Sequence, residues 1–263
     1  MMEVLVYSII FLYGIFIGSF LNVCIWRIPE NHSIVSVESH CMSCNTLLKW
    51  YDLIPIISYV VLRGRCRRCK AKISLQYPMV ELLNGVLYVL IFFIYGWGTL
   101  PNILLNIAYA LVVSALIVLS IIDFRTQIIP FGINVFIFIM GLSVMIIKYF
   151  CFGNNIGVVT DHIIGFFVVS LFLLILYTVT RGRGIGGGDI KLMAAAGLVL
   201  GWQLTLLAFL VGCVLASIIH PLRMKVSRVN SVLAFGPYLS GGIAVAILYG
   251  ERMMNWYLHT FFI

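Results

Sequence analysis

Charge is what this chain most lacks. Of 263 residues only 10% are charged and nine are acidic, whereas 62% are apolar. So little charged surface cannot keep that much apolar side chain in water, which excludes a soluble enzyme, a disordered tail and a secreted disulfide scaffold. Hydrophilic length is equally scarce, because residues 27–77 form the one long polar segment between apolar runs. Also missing are G-x-S-x-G, H-E-x-x-H and a Cys/His arrangement with its partners, so serine, zinc and cysteine protease chemistry find no support. What remains is the composition of an all-α polytopic membrane protein.

The first apolar run, 4–24, follows Met-Met-Glu without a basic leader or a small-residue cleavage site. It reads as a retained transmembrane helix rather than a signal peptide. Runs of spanning length recur at 79–95, 103–122, 131–150, 163–179 and 232–249. The stretch 190–219 is too long for one crossing at about 1.5 Å per residue through a core of about 30 Å. Splitting it at Gly201-Trp202-Gln203 gives two short helices and about eight spans, with both termini on the outer side. Every Lys and Arg except Lys148 and Arg252 then falls on one face, which marks that face as cytoplasmic. The net charge of +8 therefore reports orientation and attraction to anionic membrane lipids, with no nucleic-acid partner implied. Gly14 and Gly18 have the spacing of a close helix contact. No internal repeat stands out in the sequence.

Four of the seven cysteines form Cys41-x-x-Cys44 and Cys66-x-x-Cys69 inside the polar segment. Two such knuckles can close a tetrahedron around zinc with no position open to water, which makes the site structural. The competing reading is a pair of disulfides, which a reducing cytosol disfavours. His40 is a spare donor beside a complete cysteine set, and Cys24, Cys151 and Cys213 read as packing residues.

In so acid-poor a chain, carboxylates beside apolar runs need a reason. Asp123 closes one run and Asp189 opens another, both at the cytoplasmic boundary in the eight-span topology. Two facing carboxyls can share a proton, one activating water while the other protonates a carbonyl or leaving amine. Helix dipoles acting on a C-terminal Asp123 and an N-terminal Asp189 would make Asp189 the ionised member. Gly186, Gly187 and Gly188 leave room for an extended peptide beside Asp189 and permit positive φ. A dinucleotide loop at Gly182, Gly184 and Gly187 matches GxGxxG but follows an apolar span rather than a strand. Glu81 is either an interfacial cap or a ligand-site residue, and Asp161 and Glu251 read as solvated helix ends. A different class of function, a cation transporter with Asp123 and Asp189 as a carboxylate relay, would place these groups near the bilayer midplane.

The motifs together resemble the type 4 prepilin peptidases, or prepilin leader peptidase/N-methyltransferases, of the GxGD aspartic membrane protease family. The resemblance rests on GSFLNVCIWRIP from Gly18 to Pro29, on Trp50, Asp52, Pro55 and Ser58 between the knuckles, and on Tyr77-Pro78 with Glu81. IDFRTQIIP from Ile122 to Pro130, GGGD from Gly186 to Asp189 and FGPYL from Phe235 to Leu239 complete it, although Phe124-Arg125 replaces the more usual Leu-Asp type pair. It implies cleavage of the cytoplasmic leader of type 4 prepilins and type 2 secretion pseudopilins after a glycine, in a bacterial inner membrane. It also implies N-methylation of the new terminus by S-adenosylmethionine. On this resemblance Asp123 and Asp189 are the catalytic pair, and Cys41, Cys44, Cys66 and Cys69 hold the domain that methylation needs. Residues 1–26 would be a first transmembrane helix, 27–77 a cytoplasmic zinc domain and 78–263 the peptidase bundle. Relatives without the cysteine domain leave cleavage alone as the alternative.

Overall fold

A computed structural model describes residues 2–35, 39–153, 155–227 and 233–261. Arg228 and the expected start of the last apolar run at 232 lie outside the described residues. Among the described residues the chain is helical, with isolated antiparallel bridges in the cysteine segment. The helices are α1 (Met2–Arg27), α2 (Ile57–Val61), α3 (Gln76–Tyr95), α4 (Leu100–Thr126), α5 (Phe131–Cys151), α6 (Ile156–Val179), α7 (Gly187–Leu200), α8 (Trp202–Ser227) and α9 (Gly236–Phe261). Apart from the five-residue α2 these match the eight expected spans, and six of them are long and apolar enough to cross a membrane. The chain is an integral membrane protein. The expected break in 190–219 occurs at Gly201, whose φ of 82° ends α7 one residue before α8 begins.

The chain divides into two compact units, Met1–Tyr95 and Gly96–Ile263. That packing boundary falls one helix after the expected functional boundary at 77/78, because α3 pairs with α1. In the first unit α1 and α3 run antiparallel. A Cβ on Gly14 would lie 2.7 Å from the Gly85 Cα, and one on Gly18 would lie 2.7 Å from the Glu81 Cα. The glycine spacing of α1 is therefore a contact face where two backbones touch. Asn84 Nδ2 donates to the Gly14 carbonyl at 2.7 Å and Asn22 Nδ2 to the Tyr77 carbonyl at 3.1 Å, fixing the register in a setting where water offers no competition. Leu5, Leu12, Tyr13 and Phe16 on the other face of α1 are exposed, as lipid-facing side chains should be.

Between α1 and α3 the two knuckles repeat one backbone pattern that the sequence does not advertise. Cys41 and Cys66 donate N–H groups to Thr46 and Ala71, while Asn45 and Lys70 return N–H groups to the two cysteine carbonyls. Asn45 and Lys70 both take positive φ, 51° and 59°, to close these turns. The outer bonds match as well, Leu48 to Ser39 and Ile73 to Gly64.

In the second unit α4 is the most enclosed long helix, packed by α5 and α9, and α7 is surrounded by α5, α6, α8 and α9. Small residues make this possible. A Cβ on Gly197 would overlap the Gly165 carbonyl oxygen, and one on Gly242 would overlap the Ala208 carbonyl oxygen. His162, 1% exposed on α6, hydrogen-bonds the Leu198 carbonyl at 2.7 Å, satisfying an acceptor in the last turn of α7. Asp161 is also more than a solvated helix end, since its carboxylate lies against Gly201, where a Cβ would collide with it.

Candidate active site

Asp123 sits in the last turn of α4, which ends when Gln127 takes a φ of 55° and returns its N–H to the Asp123 carbonyl. Asp189 is the third residue of α7, in a first turn entered from Gly186. Although far apart in sequence, the two carboxyls lie close enough for the charge of one to act on the other. Both are withdrawn from solvent, at 4% and 7% exposure. At about 1.5 Å per residue from the crossing of Gly165 and Gly197, Asp189 lies roughly 12 Å and the end of α6 roughly 21 Å toward the same side. Asp189 is thus recessed below the end of its neighbouring helix, at a helix start rather than mid-helix.

The glycines act through their missing side chains and leave their conformational freedom unused. None of Gly186, Gly187 and Gly188 has positive φ. What matters is the absence of side chains: a Cβ on Gly188 would lie 2.8 Å from the Ile129 Cβ, and one on Gly186 would lie 3.1 Å from Asp189 Oδ2. Gly187 faces open space. The loop is therefore close-packed on one side and open on the other, which is the shape an approaching peptide strand requires.

Several contributors are absent from the sequence reading. Gly236, at the start of α9, donates its N–H to Asp123 Oδ2 at 3.0 Å. The N-terminal dipole of α9 therefore acts on Asp123 along with the C-terminal dipole of α4, so the α4 dipole is not the only one at that carboxyl. Gly236 must be glycine for this contact, since a Cβ there would lie 2.7 Å from the same oxygen. Ile129 fits between Gly188 and Gly236, approaching the hypothetical Cβ of each within 3.3 Å. Asn134 on α5, 4% exposed, donates Nδ2 to the Gly188 carbonyl at 3.4 Å, and its Oδ1 is buried without a hydrogen-bond partner. The Asp189 Oδ1 and the Tyr238 hydroxyl are likewise buried and unpartnered. Unpaired polar atoms buried in a bundle are costly to leave dry. Lys191 spreads its ammonium over the Phe131 ring at 5.0 Å, and Phe124 meets Tyr238 edge-on at 6.3 Å. The FGPYL motif carried the sequence signal for Gly236 and Tyr238, but its partner Asp123 is 113 residues away.

In the first unit the four cysteine sulfurs of Cys41, Cys44, Cys66 and Cys69 converge within 4.8 Å of one another. A tetrahedral zinc with bonds of about 2.3 Å would place sulfurs about 3.8 Å apart, and Cys41 Sγ lies 3.9 Å from Cys69 Sγ. The donor set fits zinc, and none of the cysteines is in a disulfide. The Thr46 hydroxyl, helped by its backbone N–H, holds the Cys44 thiol down at about 6. Backbone N–H groups of Cys69 and Arg68 lower Cys66. Cys69 moves the opposite way, to about 11, under burial and the neighbouring Cys44, Cys66 and Cys41 sulfurs, so without a cation the thiolate preference is confined to Cys44 and Cys66. Asp52 ties the second knuckle to the turn at Trp50–Asp52 through Arg67, at 2.8 and 2.9 Å, and the same guanidinium covers the Tyr51 ring at 5.0 Å.

Comparison with known proteins agrees with this arrangement. Residues 12–95 match the bacterial peptidase A24 N-terminal domain and residues 110–220 match the type IV leader peptidase family. The chain is 32% identical to a prepilin leader peptidase/N-methyltransferase of Aeromonas salmonicida (strain A449), over 97% of this chain and 95% of that protein. It is 30% identical to the protein of that name from Bacillus subtilis (strain 168), over 95% and 97%, and 29% identical to the one from Pseudomonas putida, over 91% and 89%. No solved structure matches. The first family match ends where the first unit ends and the second lies within the second unit, from α4 to α8, and the chain belongs to the type IV leader peptidase family.

Proposed function

We propose that this protein cleaves the leader peptide of type 4 prepilins and pseudopilins after a glycine, using Asp123 and Asp189, and then methylates the new N-terminal amine. The observation that carries the peptidase reading is the pair of buried carboxyls brought together beside an open glycine loop. One carboxylate takes a proton from water as the water oxygen attacks the scissile carbonyl, while the protonated partner supports the carbonyl oxygen. The proton then passes to the leaving amine, and the pair returns to its starting charge. Gly236 and Asn134 hold the two halves of this site through Asp123 and the Gly188 carbonyl. A bundle in lipid suits the substrate, because it can retain an apolar pilin helix while the leader stays in water and so position the bond without a deep soluble cleft.

Methylation draws on the first unit. S-adenosylmethionine supplies the methyl group when bound, and Cys41, Cys44, Cys66 and Cys69 hold a structural zinc that gives residues 39–75 their shape. The intact cysteine set favours the bifunctional reading over cleavage alone. The positive-inside charge pattern supports a cytoplasmic active site in a bacterial inner membrane, with both termini outside. The placement of both aspartates in end turns of helices favours peptide hydrolysis over a cation relay. Mass spectrometry of a prepilin incubated with the purified protein and S-adenosylmethionine tests the proposal. The expected product has lost its leader and gained one CH2, and Asp189→Asn should abolish that product. An intact substrate in the presence of folded, zinc-loaded protein would overturn it.

A further inference from the structure

Glu81 is neither a cap for its own helix nor exposed to a ligand. It is the sixth residue of α3 and only 6% exposed. Its Oε2 accepts the backbone N–H of Ile56 at 2.7 Å, so it caps the start of a different helix, α2. Ile56 has φ 60° and ψ −51°, a conformation that a β-branched residue rarely adopts. The Ile57 N–H bonds back to the Pro55 carbonyl around it, forming the rare and strained form of three-residue turn. A turn of this kind persists only where its surroundings hold it.

Those surroundings are specific. Gly18 lets α1 lie against the Glu81 backbone, and Asn22 holds the Tyr77 carbonyl one turn earlier. From Ile56 the path runs back through Pro55 to Asp52, and from Asp52 through Arg67 into the second cysteine knuckle. A buried carboxylate in the membrane helix pair is thus linked by short contacts to the metal-binding knuckle. Residues 39–75 need such a link, because Pro55, Gly64 and Cys66 are their only buried members.

We infer that Glu81 is a positioning residue for methyl transfer, setting the strained Pro55–Ile56 turn and hence the placement of the cysteine segment relative to α1 and α3. This rests on the assignment of methylation to the first unit. The role needs an acceptor oxygen but not a negative charge, so Gln should replace Glu where Ala cannot.

The test uses the full-length protein in nanodiscs, with Glu81→Gln and Glu81→Ala compared for prepilin cleavage, methylation, zinc content and hydrogen exchange across residues 55–62. For Glu81→Ala we expect about a tenfold or greater loss of methylation, with cleavage within about twofold, zinc unchanged and exchange faster in that peptide. Glu81→Gln should keep methylation within about threefold and retain the exchange protection. Equal loss of methylation in both variants would make the carboxylate itself the reacting group and overturn the inference. So would unchanged exchange in Glu81→Ala, or a joint fall of zinc, cleavage and methylation. Wild-type protein that cleaves without methylating would instead refute the methylation reading, and the exchange comparison would still decide the role of Glu81.

Discussion

Two regions of this protein, the cysteine segment and the bundle of the second unit, solve the same problem, holding polar groups in place, by opposite means. Residues 39–75 bury almost nothing and rely on converging thiols, on Asp52–Arg67 and on the hydrogen bond from Ile56 to Glu81. The bundle of α4 to α9 buries most of α4 and α7 and uses glycine and alanine contacts to bring its backbones together. A small segment without a core has converging thiols fit for a cation and a few polar ties to hold it, whereas a bundle in lipid depends on shape. Each should therefore fail under a different insult.

The largest effect expected is chemical. Asp123→Asn or Asp189→Asn should lower cleavage by at least about 10²–10⁴-fold, as loss of an acid–base group does, while zinc content stays at the wild-type level. Peptidase assays and metal analysis on the same preparation check both halves of that statement, and a variant retaining half of its activity would remove the pair from the mechanism. Next comes shape. Gly197→Leu must displace α6 from α7 and should abolish folding of the bundle, read as loss of monodisperse protein in detergent. A variant that folds and cleaves normally would show that the crossing of Gly165 and Gly197 has no such role.

A selective effect should follow from metal loss. Replacing Cys41 and Cys44 by Ser, or treating the protein with a strong chelator, should make residues 39–75 protease-sensitive and impair methylation more than cleavage. Equal zinc content and equal methylation in the double variant would contradict the division of labour between the units. The smallest effect is geometric. Gly236→Ala places a Cβ against Asp123 Oδ2 and should reduce cleavage roughly 10- to 100-fold without changing expression, on the scale of a misplaced catalytic group. Asn134→Ala, which frees the Gly188 carbonyl, should fall in the same range or below, measured as kcat against KM for the prepilin.

Much of this was legible in the chain because it is written locally. Apolar runs of spanning length, the break at Gly201, the two CxxC knuckles and the placement of Asp123 and Asp189 at span ends each follow from neighbouring residues and from the cost of charge in hydrocarbon. The GGGD loop was legible as a place of close approach, but not the manner of it. The glycines permit positive φ there, but the structure uses ordinary backbone, with the Cβ positions of Gly188 and Gly186 taken by Ile129 and by the Asp189 carboxylate.

Composition, periodicity and short spacing are enough to specify a helical membrane protein with a four-cysteine segment and a carboxylate at each of two span ends. It takes the folded chain to show that Gly236 donates to Asp123, that Asn134 holds Gly188, that α3 belongs with α1, and that Glu81 caps α2 rather than its own helix. These are contacts between segments distant along the chain, and their strength depends on a few tenths of an ångström in helix approach. No local pattern records that distance; packing in three dimensions sets it.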